Sequence, residues 1–173
     1  MNDYIAALLF FLPAGLANMT PPIVNKIPGI NKWKTPLDLG KTWRGKRLLG
    51  DNKTWRGLIT ATIVGGITAV VVSKLNINTV VTVPPFIMGC LLGFSALVGD
   101  AAESFIKRQK GFKPGQSWFP FDQIDYIVSG LLIAKLFVPL PLWAIIINLV
   151  AYFGLHIVAT YVGYLLKIRD QPI

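Results

Sequence analysis

Asp100 and Glu103 stand three residues apart, Ser104, Lys107 and Arg108 follow, and Asp122 and Asp125 are again three apart after a Gly/Pro-rich stretch containing Lys113. Acid, base, acid in that order suits phosphate chemistry. Carboxylates from two separate stretches can share a divalent cation, and the bases between them can neutralise pyrophosphate. The single cysteine, Cys90, and the single histidine, His156, each lie in an apolar run. That excludes disulfides, Cys/His metal sites and Ser-His or Cys-His nucleophile systems, and both residues read as packing groups. Any metal must therefore take oxygen ligands, which favours Mg2+, with Mn2+ as an alternative, over zinc.

The surroundings make those charges unusual. The chain has 173 residues, 53% of them hydrophobic, with mean hydropathy +0.56, and suits one membrane-embedded domain over residues 1–173. Crossing a bilayer takes roughly 20 apolar residues per helix. Uncharged or nearly uncharged runs predict an all-α polytopic integral membrane protein with about five transmembrane helices, at 4–25, 57–73, 84–106, 124–138 and 142–166. Pro139 and Pro141 divide the last long run into two spans. Met1-Asn-Asp3 lacks the basic flank of a signal peptide, so the first span is expected to stay. Pro13 and Gly15 are candidates for bending it.

Two basic loops, 26–56 and 107–123, join these spans. Nine of the seventeen Lys/Arg fall in the first and four in the second, and Lys167 and Arg169 follow the last span. Five spans put all of these bases on one side, which the positive-inside rule makes cytoplasmic, with the N-terminus outside. Lys135, near the outer end of the fourth span, is expected to snorkel. The net charge of +9 is thus explained by anionic membrane lipids and calls for no nucleic acid.

Only eight acids exist, and Asp100, Glu103, Asp122 and Asp125 lie within or against predicted spans. An unpaired carboxylate there costs about 2.5–3.5 kcal/mol on insertion scales, so four together imply a compensating cation. Spacing of three places Asp100 and Glu103 on one helix face, with Ser104 and Lys107 extending the stripe. Asp122 and Asp125 at a helix start also fit an N-cap and a favourable first-turn acid, a role compatible with metal binding. Lys107, Arg108 and Lys113 read as phosphate ligands or as membrane-surface anchors, and Lys110 as an anchor.

Lys41-Thr-Trp-Arg-Gly45 recurs as Lys53-Thr-Trp-Arg-Gly57 with no longer internal period, a local duplication and not a repeat fold. Lys, Thr, Arg and a permissive Gly suit phosphate oxygens, whereas Trp33, Trp43 and Trp55 suit the membrane interface. The segment Gly50-Asp-Asn-Lys-Thr-Trp-Arg-Gly57 resembles the KTWEG-type segment of CDP-diacylglycerol synthases. Ser104, Lys107, Arg108, Lys113, Pro120, Asp122 and Asp125 follow the order of that family's S-x-x-K-R-x4-K-D stretch and its closing D-R-x-D, and Gly99-Asp100 is similar to its GD. Arg56 stands in place of Glu, Pro114 in place of Asp and Gln123 in place of Arg, and the loop's His-Gly-Gly is absent. With the short length and five spans, these departures resemble the archaeal branch, the CDP-archaeol synthases.

The resemblance implies transfer of CMP from CTP to the phosphate of an unsaturated archaetidic acid, 2,3-bis-O-geranylgeranyl-glycerol 1-phosphate, with release of pyrophosphate and use of Mg2+. Asp122 and Asp125, with Asp100 and Glu103, would hold the metal. Lys107, Arg108 and Lys113 would neutralise the leaving group, and Asn52, Lys53, Thr54, Arg56 and Ser104 would bind the nucleotide. A phosphate monoester is largely dianionic at neutral pH, so it needs no general base, which accords with loops lacking histidine. A CTP-dependent polyprenol kinase and a non-catalytic anionic-lipid-binding membrane protein are the alternatives. Nothing in the pattern sets an oligomeric state.

Overall fold

The computed structural model describes residues 2–75 and 81–168; Arg169 lies outside them. Five helices follow in order: α1 Asp3–Val24, α2 Trp55–Ser73, α3 Pro85–Lys110, α4 Phe121–Phe137 and α5 Leu142–Leu165. By length and apolarity α1, α2, α3 and α5 can each cross a membrane. α4 has 17 residues, about 26 Å at 1.5 Å per residue, short of a ~30 Å hydrocarbon core.

Each boundary has a local cause. Asn2 caps α1 by accepting the Tyr4 N–H at 3.0 Å. The Thr54 hydroxyl accepts the Gly57 N–H at 3.2 Å and caps α2, so that helix begins two residues before the expected 57. α3 runs past its expected end at 106, because no breaker intervenes before Gly111, which closes the helix at φ +85°. Lys107, Arg108 and Lys110 therefore occupy its last turn, where they favour the helix dipole. The second loop shrinks from 107–123 to 111–120, since α4 starts after Pro120. Asp122 is accordingly in the first turn and is not the cap. The first loop also departs from pure helix, with a hairpin of β1 Thr42–Trp43 and β2 Lys46–Arg47.

The core lies between α1, α3, α4 and α5, around Phe11, Leu92, Ile127, Leu131 and Tyr152. Gly15 makes room for Tyr152, since a Cβ there would fall 2.6 Å from Tyr152 Cε1. Tyr152 in turn donates to the Leu8 carbonyl at 2.7 Å, and Tyr126 donates to the Tyr152 carbonyl at 3.0 Å, stitching α1, α5 and α4 together. The α2–α3 crossing is backbone on backbone, since a Cβ on Gly65 would meet the Gly89 carbonyl at 2.4 Å. Small residues four apart, Ala61-Gly65 and Gly89-Gly93, allow that approach, the usual device where lipid removes the hydrophobic drive to associate. Many large apolar side chains point outward, including Ile59, Ile63 and Ile67 on α2 and Val150, Leu155 and Val158 on α5, as expected for lipid-facing surfaces.

Candidate functional site

One cavity of about 540 Å³ opens at the bundle end where the basic loops gather, lined by α1, the first loop, α3, the second loop and the near ends of α4 and α5. Its floor depends on a close approach. Gly99 has no side chain, and a Cβ there would stand 2.6 Å from the Asp125 carbonyl and 2.2 Å from Ser129 Oγ. α4 consequently lies against α3 at the residue preceding Asp100. Ligand atoms of Asp100, Glu103 and Asp125 all fall within 4.8 Å of one another. Glu103 Oε1 and Asp125 Oδ2 are buried without a hydrogen bond, while Asp125 Oδ1 accepts the Tyr126 N–H at 2.5 Å. Three converging carboxylates, two of them with a buried oxygen that makes no hydrogen bond, suit a hard divalent ion.

Asp122 is engaged elsewhere. Its Oδ1 accepts from Lys107 Nζ at 2.7 Å and its Oδ2 from the Trp118 N–H at 2.7 Å. Lys107 also lies 3.5 Å from Glu103, so it bridges the acids of α3 and α4. Ser104 is buried beside them on the cavity wall. Arg108 lines the cavity and donates to the Lys113 carbonyl at 3.0 Å; the Lys113 side chain itself is exposed and off the cavity lining. The second loop is closed by Phe112, Trp118 and Phe121, with Lys110 Nζ 4.4 Å above the Trp118 ring.

On the opposite wall, Asn52, Lys53 and Thr54 line the cavity. Residues 35–37 run beside 53–55 through Leu37 N–H to the Lys53 carbonyl at 2.7 Å and Trp55 N–H to the Thr35 carbonyl at 3.1 Å. That pairing aims Lys53 inward, and its Nζ donates to Asp100 Oδ1 at 2.5 Å. Burial would lower the Lys53 ammonium, but Asp100 foremost, with Asp125 and Glu103, outweighs it and raises the group above the ordinary lysine range. Arg56 is off the cavity lining, is buried, and donates to the side chain of Asn25, which does line the cavity, and to the Ile30 carbonyl at 3.0 Å.

Asp38, which the motifs never singled out, organises this loop. Its buried carboxylate accepts N–H groups of Gly40, Leu49 and Gly50 at 3.0, 2.9 and 3.1 Å and pairs with Arg47 at 2.8 Å. Burial alone would raise it, but Arg47 and those amides hold it well below the usual carboxylate range. Arg47 also reaches Asp51 at 2.8 Å. The hairpin tip rests on α3 through Trp43 stacked on Phe105, 5.6 Å between centroids, and Lys46 donating to the Gln109 carbonyl at 2.5 Å. Asn18, His156 and Thr160, outside the motifs, line the cavity together with Gln123. His156 bonds Asn18 across 3.3 Å and borders the cavity, correcting its reading as mere packing. Polar residues isolated in apolar runs were the available signal.

Comparison with known proteins agrees with this picture. Residues 1–173 match the family model described as CarS-like: CDP-archaeol synthase. CDP-archaeol synthase of Pyrococcus furiosus is 32% identical over 173 residues, covering 99% of each chain. That of Saccharolobus islandicus is 34% identical over 172 residues, 98% of this chain and 96% of its own. The Halobacterium salinarum protein of that name is 36% identical over 152 residues, 79% and 82%. A solved structure described as an intramembrane enzyme for archaeal membrane lipids biosynthesis superposes with TM-score 0.76 at 28% identity, covering 88% of this chain and 91% of that one. With the whole length matched and relatives above 30% identity aligned nearly end to end, the chain belongs to the CDP-archaeol synthase family.

Proposed function

We propose that the cavity carries out Mg2+-dependent cytidylyl transfer, the step by which a CDP-archaeol synthase makes its product from CTP. A non-bridging oxygen of the lipid phosphate forms a bond to the α-phosphorus, the α–β phosphoanhydride bond breaks, and pyrophosphate leaves. The observation that carries the reading is the convergence of Asp100, Glu103 and Asp125 within 4.8 Å beside Lys53 and Lys107. These acids would hold Mg2+, or Mn2+, which when bound supplies charge neutralisation and alignment of attacking and leaving oxygens. Asp122 would join them or act through Lys107, which it fixes at 2.7 Å.

Arg108, Lys107 and Lys113 would take up charge on the departing pyrophosphate, with Lys113 reaching in from the rim. Asn52, Lys53, Thr54 and Ser104 would bind the nucleotide, whereas Arg56 would support that wall through Asn25 and Ile30. No histidine base is required, because the nucleophile is already anionic; the residues position and neutralise. The lipid substrate is the digeranylgeranylglyceryl phosphate, arriving from the bilayer. The loops and cavity mouth face the cytoplasm, and the N-terminus lies outside.

Purified protein in detergent, given CTP labelled at the α-phosphate and the ether-lipid phosphate, will label the lipid, and Asp125→Asn will abolish this while folding normally. Chelation will stop the reaction and Mg2+ will restore it. A lipid labelled only from γ-phosphate would establish kinase chemistry instead, and chelator-insensitive transfer would refute the metal assignment.

A further inference from the structure

Lys53 occupies an odd position for a nucleotide ligand. Its ammonium faces the acids that would hold the metal, 2.5 Å from Asp100, with its side chain only 20% exposed. We infer that Lys53 is a tethered counter-ion that fills the acid cluster between turnovers and is exchanged for the divalent ion, its ammonium then passing to a nucleotide phosphate. The inference rests on the proposed metal site.

Three features support exchange over coexistence. The ligand oxygens of Asp100, Glu103 and Asp125 span no more than 4.8 Å, so an ion among them would sit at contact range of an ammonium already on Asp100, and two cations that close repel strongly. Asp125 Oδ2 has no hydrogen bond and Glu103 Oε1 has only the 3.5 Å ion pair with Lys107, so both oxygens remain open to an ion while Lys53 donates to Asp100. Finally, Lys53 is carried by loop backbone immediately before the Thr54 cap, not by a helix, and the same cavity wall presents Asn52 and Thr54. Withdrawal of a four-carbon side chain along that wall needs no helix movement. Lys107 differs, being anchored on α3 and shared between Glu103 and Asp122. It would stay in place. The device keeps intramembrane carboxylates compensated when no metal is bound and releases a cation when the triphosphate arrives.

The test uses the full-length protein in detergent with Mn2+ alone, followed by electron paramagnetic resonance. Lys53→Met should bind Mn2+ at least about tenfold more tightly than the unsubstituted chain, because a competing positive charge is gone. Lys41→Met, in the exposed copy of the motif, should bind as the unsubstituted chain does. A second measurement needs no variant: amine methylation read by peptide mass spectrometry should find Lys53 protected without metal and several-fold more reactive with Mn2+. Equal or weaker Mn2+ binding by Lys53→Met, or Lys53 protection that Mn2+ leaves unchanged, overturns the exchange while leaving the metal site standing. Failure of every protein to bind Mn2+ overturns the metal site as well.

Discussion

Gly99→Ala tests whether helix spacing builds the site. The added methyl would lie 2.6 Å from the Asp125 carbonyl, which cannot rotate away, and must retreat by about 0.8 Å to reach an ordinary 3.4 Å contact. Moving α4 by that amount carries Asp125 away from Asp100 and Glu103. A misplacement near 1 Å can cost about 10²-fold in rate, and overpacking of this kind costs about 1–3 kcal/mol of stability, or a few degrees of Tm per kcal/mol in a chain this size. We therefore expect kcat for CDP-archaeol formation to fall about 100-fold with Tm only modestly lower, measured by α-labelled CTP incorporation and by thermal unfolding in the same detergent. The double variant Gly99→Ala/Ser129→Ala removes the 2.2 Å clash with the hydroxyl but not the carbonyl contact, so it should stay slow. Wild-type kcat in Gly99→Ala, or full recovery in the double variant, would refute the view that backbone spacing sets the carboxylate geometry.

Lys107→Met leaves Glu103 and Asp122 facing each other without their shared cation, and thermal unfolding should register a loss of about 3 kcal/mol, partly recovered by adding Glu103→Gln. Gly65→Ala drives a methyl into the Gly89 carbonyl and should destabilise severely, whereas Gly154→Ala on α5 meets nothing within 4 Å and should leave Tm unchanged or slightly raised. Because Asp38 is depressed in the folded protein, its contribution is complete above its unfolded pKa of about 4 and is lost as pH falls below that value. Asp38→Asn should therefore flatten the acid limb of the stability profile and, at neutral pH, speed proteolysis of residues 38–50. An unchanged acid limb would mean the Asp38 cluster contributes nothing to the fold.

Membrane helices were legible because lipid enforces a single pattern of long, nearly uncharged runs, and the five expected spans coincide with five helices within a few residues, four of them long and apolar enough to cross a membrane. The larger errors arose at the water-facing ends. α3 outran its apolar stretch because charged residues continue a helix whose last turn welcomes them, and hydropathy cannot register that. The acids stood out in sequence as misplaced charges. Their grouping was less visible: Asp125 joins the α3 pair while Asp122 turns to Lys107, a choice made by one helical turn and by the Trp118 amide. Arg56 illustrates the converse, a motif residue whose guanidinium is spent on Asn25 and Ile30, partners that only tertiary structure brings near. Asp38 had no neighbouring acid or base pattern to mark it, since four of its contacts are to backbone or to a residue nine positions on.

The twin pentapeptides, Lys41–Gly45 and Lys53–Gly57, take different shapes, one entering a hairpin and the other opening a transmembrane helix. As the five letters are the same, their divergent fates are written wholly in the flanks: Asp38 and Gly40 bend the chain ahead of the former, and the apolar tract from Leu58 recruits the latter into the bilayer. A pattern scan for this signature will thus report two hits per molecule where just one faces the acids, and the discriminating letter is the asparagine at 52, absent before the decoy.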